Sequence, residues 1–358
     1  MSEVSTSAPR GDLGWGRRAT AKEVAALAGV SPQTVSRVAN GLDNVLPETR
    51  ERVLDAMARL GYAPNAAARA LRTGRSTNLG LIAFQLSRTG EAHIIDAICS
   101  TARARGYDVV LTTAADGSAE SLNRAMVGAR AGVAGLVVLG LETVAVNHLR
   151  LPANLPVVIA DSRGLSVPTV GCDQAEGARL AVEHLLAGGA RTVHLVAGPE
   201  TSLQSRQRLD SWCQVLLAAG REIPTPLHGD WSAESGYLAG RQLAADAGVE
   251  AIFVANDEMA GGVLRALHEA GRRIPEDVAV VGFDDVDAEY LWPPLTSLRQ
   301  DFRAIGEGLV AALLEQVATP DDRVVGLREP RLIAPTLVVR ASSTPTVVPV
   351  TAREGRKS

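Results

Sequence analysis

Two groups of side chains in this sequence are of types suited to recognition. Gln33, Thr34, Ser36 and Arg37 lie within "SPQTVSRVANG", residues 31–41, interrupted only by Val35. An amide, two hydroxyls and a guanidinium at that spacing share one face of a helix. Gln can bond adenine bidentately, Arg can bond guanine, and hydroxyls bond bases or phosphates. The second group is dispersed along the chain. Asp161, Asn256-Asp257 and Asp284-Asp285 close the apolar runs "LPVVIAD", "AIFVAND" and "VAVVGFDD". Open α/β sheets place ligands just past the carboxyl ends of their strands. Several acceptors without a basic cluster suit a neutral polyhydroxyl ligand better than a phosphate. Arg208, in "SRQRL", can fork onto vicinal hydroxyls. Trp231, in "GDWSAESG", offers an apolar face for a pyranose ring. Each has a plainer alternative: Asn256 or Asp257 can cap the following helix, and Trp231 can simply fill a core. Asp173 with Glu176 reads as a capping box and is left outside the site.

The first group needs a helix to carry it. Thr20 followed by Glu23 is a capping box, so a helix starts there. Val24, Ala25, Leu27 and Ala28 form its apolar face, and Gly29 ends it. Ser31-Pro32 reads as an N-cap followed by proline at the first helical position. Val35, Val38 and Ala39 then point inward, and Asn40-Gly41 closes the second helix. Helices this short do not stand alone. A third runs from about Pro47 to Leu60, with Val53, Leu54, Met57 and Leu60 on one face and Gly61 beyond its end. This is a helix-turn-helix unit, suited to the major groove of DNA. The plain alternative is a helical hairpin with a solvated polar face.

"YAPNAAARALRTGRS", residues 62–76, follows. Asn65 to Arg72 can form about two helical turns, marginal in isolation. Arg69, Arg72 and Arg75 can meet phosphates, and Leu71 is an apolar side chain of the kind used as a minor-groove wedge. The alternative is a flexible basic linker. From residue 79 the chain alternates apolar, β-rich runs with helical stretches: "LGLIAFQL", "YDVVLTTA", "AGLVVLG" and "TVHLVAG" join the three runs above. Continuous apolar strands between helices argue for parallel sheets covered on both faces. Seven runs are too many for one small sheet, so a two-lobed α/β body is expected.

Composition agrees with a soluble, multi-domain chain. Of 358 residues, 46% are apolar and 21% charged. No apolar run approaches the roughly 18 residues of a membrane helix, and residues 1–18 lack the apolar core of an export signal. Residues 1–75 carry eleven Arg and Lys against seven Asp and Glu, a net of +4, whereas the remainder carries 25 against 33, a net of −8. A basic head on an acidic body suggests that the head alone meets a polyanion. Cys99, Cys172 and Cys213 have no paired spacing and read as buried thiols in a reducing compartment. A phosphate-binding loop, a nucleophile elbow, a zinc-binding HExxH and a dinucleotide fingerprint are all missing from the sequence. Two carboxylates near a sugar would also suit a sugar-processing enzyme, but catalysis is not expected.

The segments "VAALAGVSPQTVSRVANG", "TRERVLDAMARLGYAPNAAARALRTG", "LVAGPETSLQSRQRLDSW", "GDWSAESGY", "VANDEMAGGVLRAL", "VAVVGFDD" and "PPLTSLRQDFRAIG" together resemble the lactose/galactose repressor (LacI/GalR) family over roughly residues 20–340. The resemblance implies a disordered leader over 1–18, an all-α helix-turn-helix headpiece over 19–63 and a hinge helix over 64–76. A two-lobed body of the periplasmic-binding-protein (type I) fold follows over 77–340, with lobes of about 77–200 and 201–340, and then a flexible tail over 341–358. It implies that Pro32, Gln33 and Arg37 contact bases and that Leu71 is the hinge wedge; Thr20, Thr34, Ser36, Asn40, Asn65 and Arg69 complete the DNA-facing set. It implies Asp161, Arg208, Trp231, Asn256 and Asp284 as sugar contacts, with Gln300 and Phe302 at the pocket wall. Leu46 stands where the family often has a serine cap. The expected effector is a small, galactoside-like sugar inducer, with a regulator responding to a non-sugar effector as the alternative. Phe84-Gln85 and Gly90-Glu91 stand where smaller or apolar residues are usual in lactose-type members, which loosens the choice of sugar or aglycone.

The expected protein is thus a cytoplasmic, nucleoid-associated homodimer that grips palindromic double-stranded operator DNA and answers a small carbohydrate, without cofactor, metal or membrane. The C-terminal segment has no leucine heptad, so a dimer rather than a coiled-coil tetramer is expected. If Leu71 is a wedge, Leu71→Ala loses operator selectivity more than general DNA affinity. Parallel titrations on operator and random duplex read this; equal losses on both would exclude a wedge.

Overall fold

In a computed structural model of the chain, the described residues are 19–39, 42, 44–62, 76–140, 148–319 and 328–344. The expected leader, Asn40, residue 63 of the expected headpiece, residues 64–75 of the expected linker and residues 345–358 of the tail lie outside them. The chain divides into two compact units, Met1–Gly74 and Arg75–Ser358.

The first unit is built by local signals. Helix α1 (Ala21–Ala28) starts in the capping box: Thr20 accepts from the Glu23 amide, and the Glu23 carboxylate accepts from the Thr20 amide at 2.7 Å. Gly29 ends α1 at φ +67°, a left-handed conformation glycine adopts without strain. Helix α2 (Pro32–Ala39) opens with the Ser31 hydroxyl accepting from the Thr34 amide at 3.1 Å. Helix α3 (Pro47–Leu60) has no side-chain cap at Leu46 and relies on proline in its first turn. Val24, Val35 and Val53, one from each helix, are fully buried, and burying each such side chain stabilises by about 1.5–3 kcal/mol. Tertiary packing, rather than helix propensity, therefore holds the three together. Two expected core positions differ: Leu54 is 50% exposed and Leu60 37%, because Ala56 takes the inward place on α3. Leu27 likewise turns outward from α1.

Among the described residues the second unit holds two six-stranded sheets. The first is ordered β11-β5-β4-β3-β1-β2, from β1 (Asn78–Ala83), β2 (Asp108–Thr113), β3 (Leu136–Val138), β4 (Val157–Ala160), β5 (Thr169–Cys172) and β11 (Arg331–Ile333), all parallel. The second is ordered β12-β10-β9-β8-β6-β7, from β6 (His194–Ala197), β7 (Leu227–His228), β8 (Ala251–Val254), β9 (Ala279–Asp284), β10 (Thr296–Arg299) and β12 (Thr336–Val338). Here β10 pairs with β12 antiparallel, and the other pairings among the described residues are parallel. Helices α4 (Thr89–Ala104), α5 (Ala119–Ala129) and α10 (Phe302–Ala318) pack on the first sheet. Helices α6 (Gln174–Ala187), α7 (Leu203–Ala218), α8 (Ala233–Ala244) and α9 (Asp257–Glu269) pack on the second.

This corrects the lobe boundary. The expected first lobe ran to about residue 200, but β6 and α6 belong to the second sheet, so the chain first crosses after β5. It returns with α10 and crosses last between β11 and β12. The reason is topological: β6 hydrogen-bonds to β7 and β8, not to any strand of the first sheet. Three crossings hinge the lobes while leaving the carboxyl ends of both sheets facing a shared cleft. Among the described residues no helix is long and apolar enough to cross a membrane.

Candidate ligand cleft and DNA-reading helix

On α2, Pro32, Gln33 and Arg37 are exposed, Thr34 and Ser36 are half-buried, and Val35 and Val38 are buried. The polar face is therefore held outward by its own apolar back. Thr20 is exposed, with its hydroxyl engaged by Glu23. Asn40, Asn65, Arg69 and Leu71 fall outside the described residues.

In the second unit, the seven expected effector residues line one cleft of about 930 Å³, a volume that includes space open to solvent. Asp161 follows β4 and its side chain is 1% exposed. Its carboxylate is clamped by Arg163, which donates from Nε at 3.0 Å and from Nη2 at 2.6 Å. Arg208, on α7, is buried and stacked with its guanidinium carbon 3.6 Å from the Phe283 ring centroid. It donates to Gln174 Oε1 at 2.8 Å and to the Ala255 carbonyl, and lies 3.7 Å from Asp284. Burial lowers its pKa, with Asp284 opposing the shift.

Asn256 combines both roles read for it. Its Oδ1 caps α9 by accepting from the Met259 amide, and its Nδ2 donates to the Trp231 carbonyl, each at 3.1 Å. That second bond anchors Trp231 at φ +78°, a conformation bulky residues avoid and one that concentrates at functional sites. Gly198 admits the indole, since a Cβ there would collide with the ring. Trp231 Nε1 is buried and has no hydrogen-bond partner among the described residues. Asp284, ending β9 at φ +106°, accepts from Gln300 Nε2 at 2.6 Å. Burial pushes its carboxyl up to about 6, against the pull of Arg208 and Gln300. Phe302 opens α10 and stacks on His93 at 5.4 Å, with Gly90 leaving room for its ring.

The neighbouring carboxylates do other work. Asp285 is 2% exposed and bridges Arg299 and Arg340, each at 2.6 Å. Asp257 accepts from the Ser297 hydroxyl and the Val286 amide, and burial raises its pKa well above the usual range. Both fix β9 and β10 rather than face the cleft. The cleft also contains residues the sequence reading left out: Arg88, Gln174, Gln204, Glu258 and Cys172. Burial pushes the Cys172 thiol up to about 12, so it is an uncharged wall. Gln174 adjoins Asp173, which does cap α6 as read; that cap was the nearest available cue.

A helix-turn-helix unit, in a chain whose other unit encloses a polar cleft between two α/β lobes, defines a ligand-responsive DNA-binding regulator. Residues 20–65 match the bacterial regulatory proteins of the lacI family, and residues 182–343 a periplasmic binding protein-like domain. The HTH-type transcriptional regulator CelR of Thermobifida fusca is 38% identical over 317 residues, covering 84% of this chain and 92% of that protein. The lactose operon repressor of Escherichia coli (strain K12) is 36% identical over 304 residues, covering 83% of this chain and 84% of that protein. Among solved structures, the lac repressor dimer bound to operator and the anti-inducer ONPF has a TM-score of 0.79 at 33% identity, covering 91% of this chain and 99% of that one. The CelR–cellobiose complex has a TM-score of 0.66 at 34% identity, covering 91% and 100%. The chain belongs to the LacI family and is a DNA-binding transcriptional repressor, not an enzyme.

Proposed function

We propose that this repressor is a homodimer whose hold on a palindromic operator is released by a small neutral carbohydrate bound between the lobes. The observation that carries the effector reading is the convergence of Asp161, Arg208, Trp231, Asn256, Asp284, Gln300 and Phe302 on one cleft. Carboxylates accept from sugar hydroxyls, a buried guanidinium donates to them, and an indole with an unmatched N–H adds a flat apolar face beside a donor. Charge disfavours the commoner anions. Glu91, Asp161, Glu258 and Asp284 line the cleft, against Arg88, Arg208 and the Arg163 that clamps Asp161, so a phosphate or carboxylate ligand meets an excess of negative charge. A relative held with cellobiose, and another held with operator, support the pairing of sugar with DNA control.

On the DNA side, the exposed Gln33 and Arg37 of α2 read base edges, with Pro32, Thr34 and Ser36 beside them. Two such heads favour a two-fold site on the nucleoid. The test is operator binding by fluorescence anisotropy, titrated with glucose, galactose, cellobiose, lactose and glucose 6-phosphate. At least one neutral sugar is expected to weaken binding by roughly 5- to 150-fold, the range of ordinary allosteric coupling, and the phosphate ester to do nothing. Indifference to every sugar, or a response to the phosphate ester alone, would refute the effector assignment.

A further inference from the structure

The cleft has a rim outside this recognition set. Arg88 stands at the N-cap of α4 with no side-chain cap bond. Its guanidinium carbon lies 5.9 Å from the centroid of Phe84, which follows β1, and 6.0 Å from that of Trp231, which precedes α8. One side chain thus rests over an aromatic ring from each lobe. Glu91 holds its carboxylate 3.7 Å from the same guanidinium. The adjacent Thr89 donates its hydroxyl to Glu258 on the first turn of α9, which ties the start of α4 to the opposite lobe.

Depth orders the two arginines. The Arg208 side chain is 5% exposed and that of Arg88 is 23%, yet both guanidinium carbons lie within 6 Å of the Trp231 ring centroid. The indole therefore runs from a buried donor fork to one at the rim. A first sugar ring gripped by the deep set directs its attached group toward Arg88. Aromatic faces and Glu91 hold that fork in advance, so little freedom is lost when it binds.

We propose that Arg88 is the specificity-determining residue that selects effectors by the group attached to the first ring, favouring a second, hydroxyl-bearing ring over an apolar aglycone. This deepens the carbohydrate reading and rests on it. The guanidinium offers several N–H donors and no acceptor. Hydroxyls can accept from such donors, whereas an alkyl chain cannot. Sites built to bond a hydroxyl reject analogues that lack it far more strongly than apolar pockets reject an added one.

The test uses the full chain and isothermal titration with matched pairs: cellobiose against butyl β-glucopyranoside, and lactose against butyl β-galactopyranoside. In at least one pair the unaltered protein binds the disaccharide about tenfold or more tightly, as loss of a hydrogen bond to a charged group predicts. Arg88→Met keeps the stem and removes the fork; it brings that ratio to about one or below, while butyl glycoside affinity changes little. Arg88→Lys gives an intermediate ratio. Equal losses for both partners of a pair would make Arg88 a mere support and overturn the proposal, as would an unchanged ratio or no disaccharide preference in the unaltered protein. If the folded, unaltered protein binds none of the four ligands, the carbohydrate reading itself falls and takes this one with it.

Discussion

Arg208→Met is expected to weaken effector binding by at least about 100-fold and to destabilise the second unit by about 3 kcal/mol, the size expected when two buried acceptors lose their donor. The two effects have separate causes. Arg208 is buried, and its donors reach Gln174 Oε1 and the Ala255 carbonyl while its charge faces Asp284. Methionine replaces the aliphatic stem over Phe283 and leaves those acceptors unmatched, at about 1–3 kcal/mol for each buried group. Asp284 limits the damage, because its carboxyl already sits near 6 and takes up a proton once the guanidinium that restrains it is gone. The affinity loss comes from the missing fork. Arg208→Lys separates the two, since an ammonium keeps the charge but cannot donate in a plane to two hydroxyls. The lysine variant should recover part of the stability and still bind at least about tenfold more weakly. Urea denaturation and calorimetric titration read the two quantities independently. Near-normal sugar affinity in Arg208→Met would mean that the ligand sits elsewhere.

What could be read from sequence divides along physical lines. Thr20 with Glu23, and Ser31 with Pro32, announced their helices because a cap is a contact between residues three positions apart. Six of the seven apolar runs became largely buried strands, and a strand buried on both faces has little freedom in composition. The seventh, β2, lies at the sheet edge with Val110 and Leu111 each 44% exposed, against the expectation of cover on both faces. Short strands such as "TSLR" at β10 and "RLI" at β11 carry no such mark; they are strands because a neighbour offers them a ladder. The lobe boundary was misplaced for a related reason. The β6 run looks like any strand of the first sheet, and crossover topology alone assigns it to the second.

The site shows the same division. Asp161, Asn256 and Asp284 were findable as polar residues at or just past strand ends. Their neighbours Asp257 and Asp285 share that position, and only the direction of each side chain, toward Ser297 or toward Arg299 and Arg340, removes them from the cleft. Arg88 gave no signal, since its role depends on Phe84 and Trp231, which only the closed fold brings together.

Asp284→Asn should make the protein more stable at neutral pH and nearly deaf to its effector. Burial raises the Asp284 carboxyl from its ordinary 3.8 to about 6, despite Arg208, Gln300 and His93, with Glu258 adding to the rise. A carboxyl raised on folding opposes the folded state when ionised. Below pH 3.8 both states hold the proton and Asp284 contributes nothing. Between 3.8 and 6 the unfolded chain ionises first, so stability falls as pH rises, and above 6 the full penalty of about 3 kcal/mol is present. Asparagine mimics the protonated acid and tolerates the positive φ of this position better than most residues. The variant should therefore gain up to about 3 kcal/mol at pH 7.5, with the gain vanishing near pH 4 when both proteins are compared at each pH.

Effector binding runs the other way. Hydroxyls donating to Asp284 favour its ionised form, so binding expels a proton. In the unaltered protein affinity should climb up to about tenfold per pH unit below 6 and level off above 7. Asp284→Asn should bind about tenfold or more weakly at pH 7.5 and show no such slope. The strained, charged aspartate thus trades stability for recognition, as functional sites often do. An unaltered protein whose sugar affinity is flat from pH 5 to 7 would show that its effector does not hydrogen-bond to Asp284.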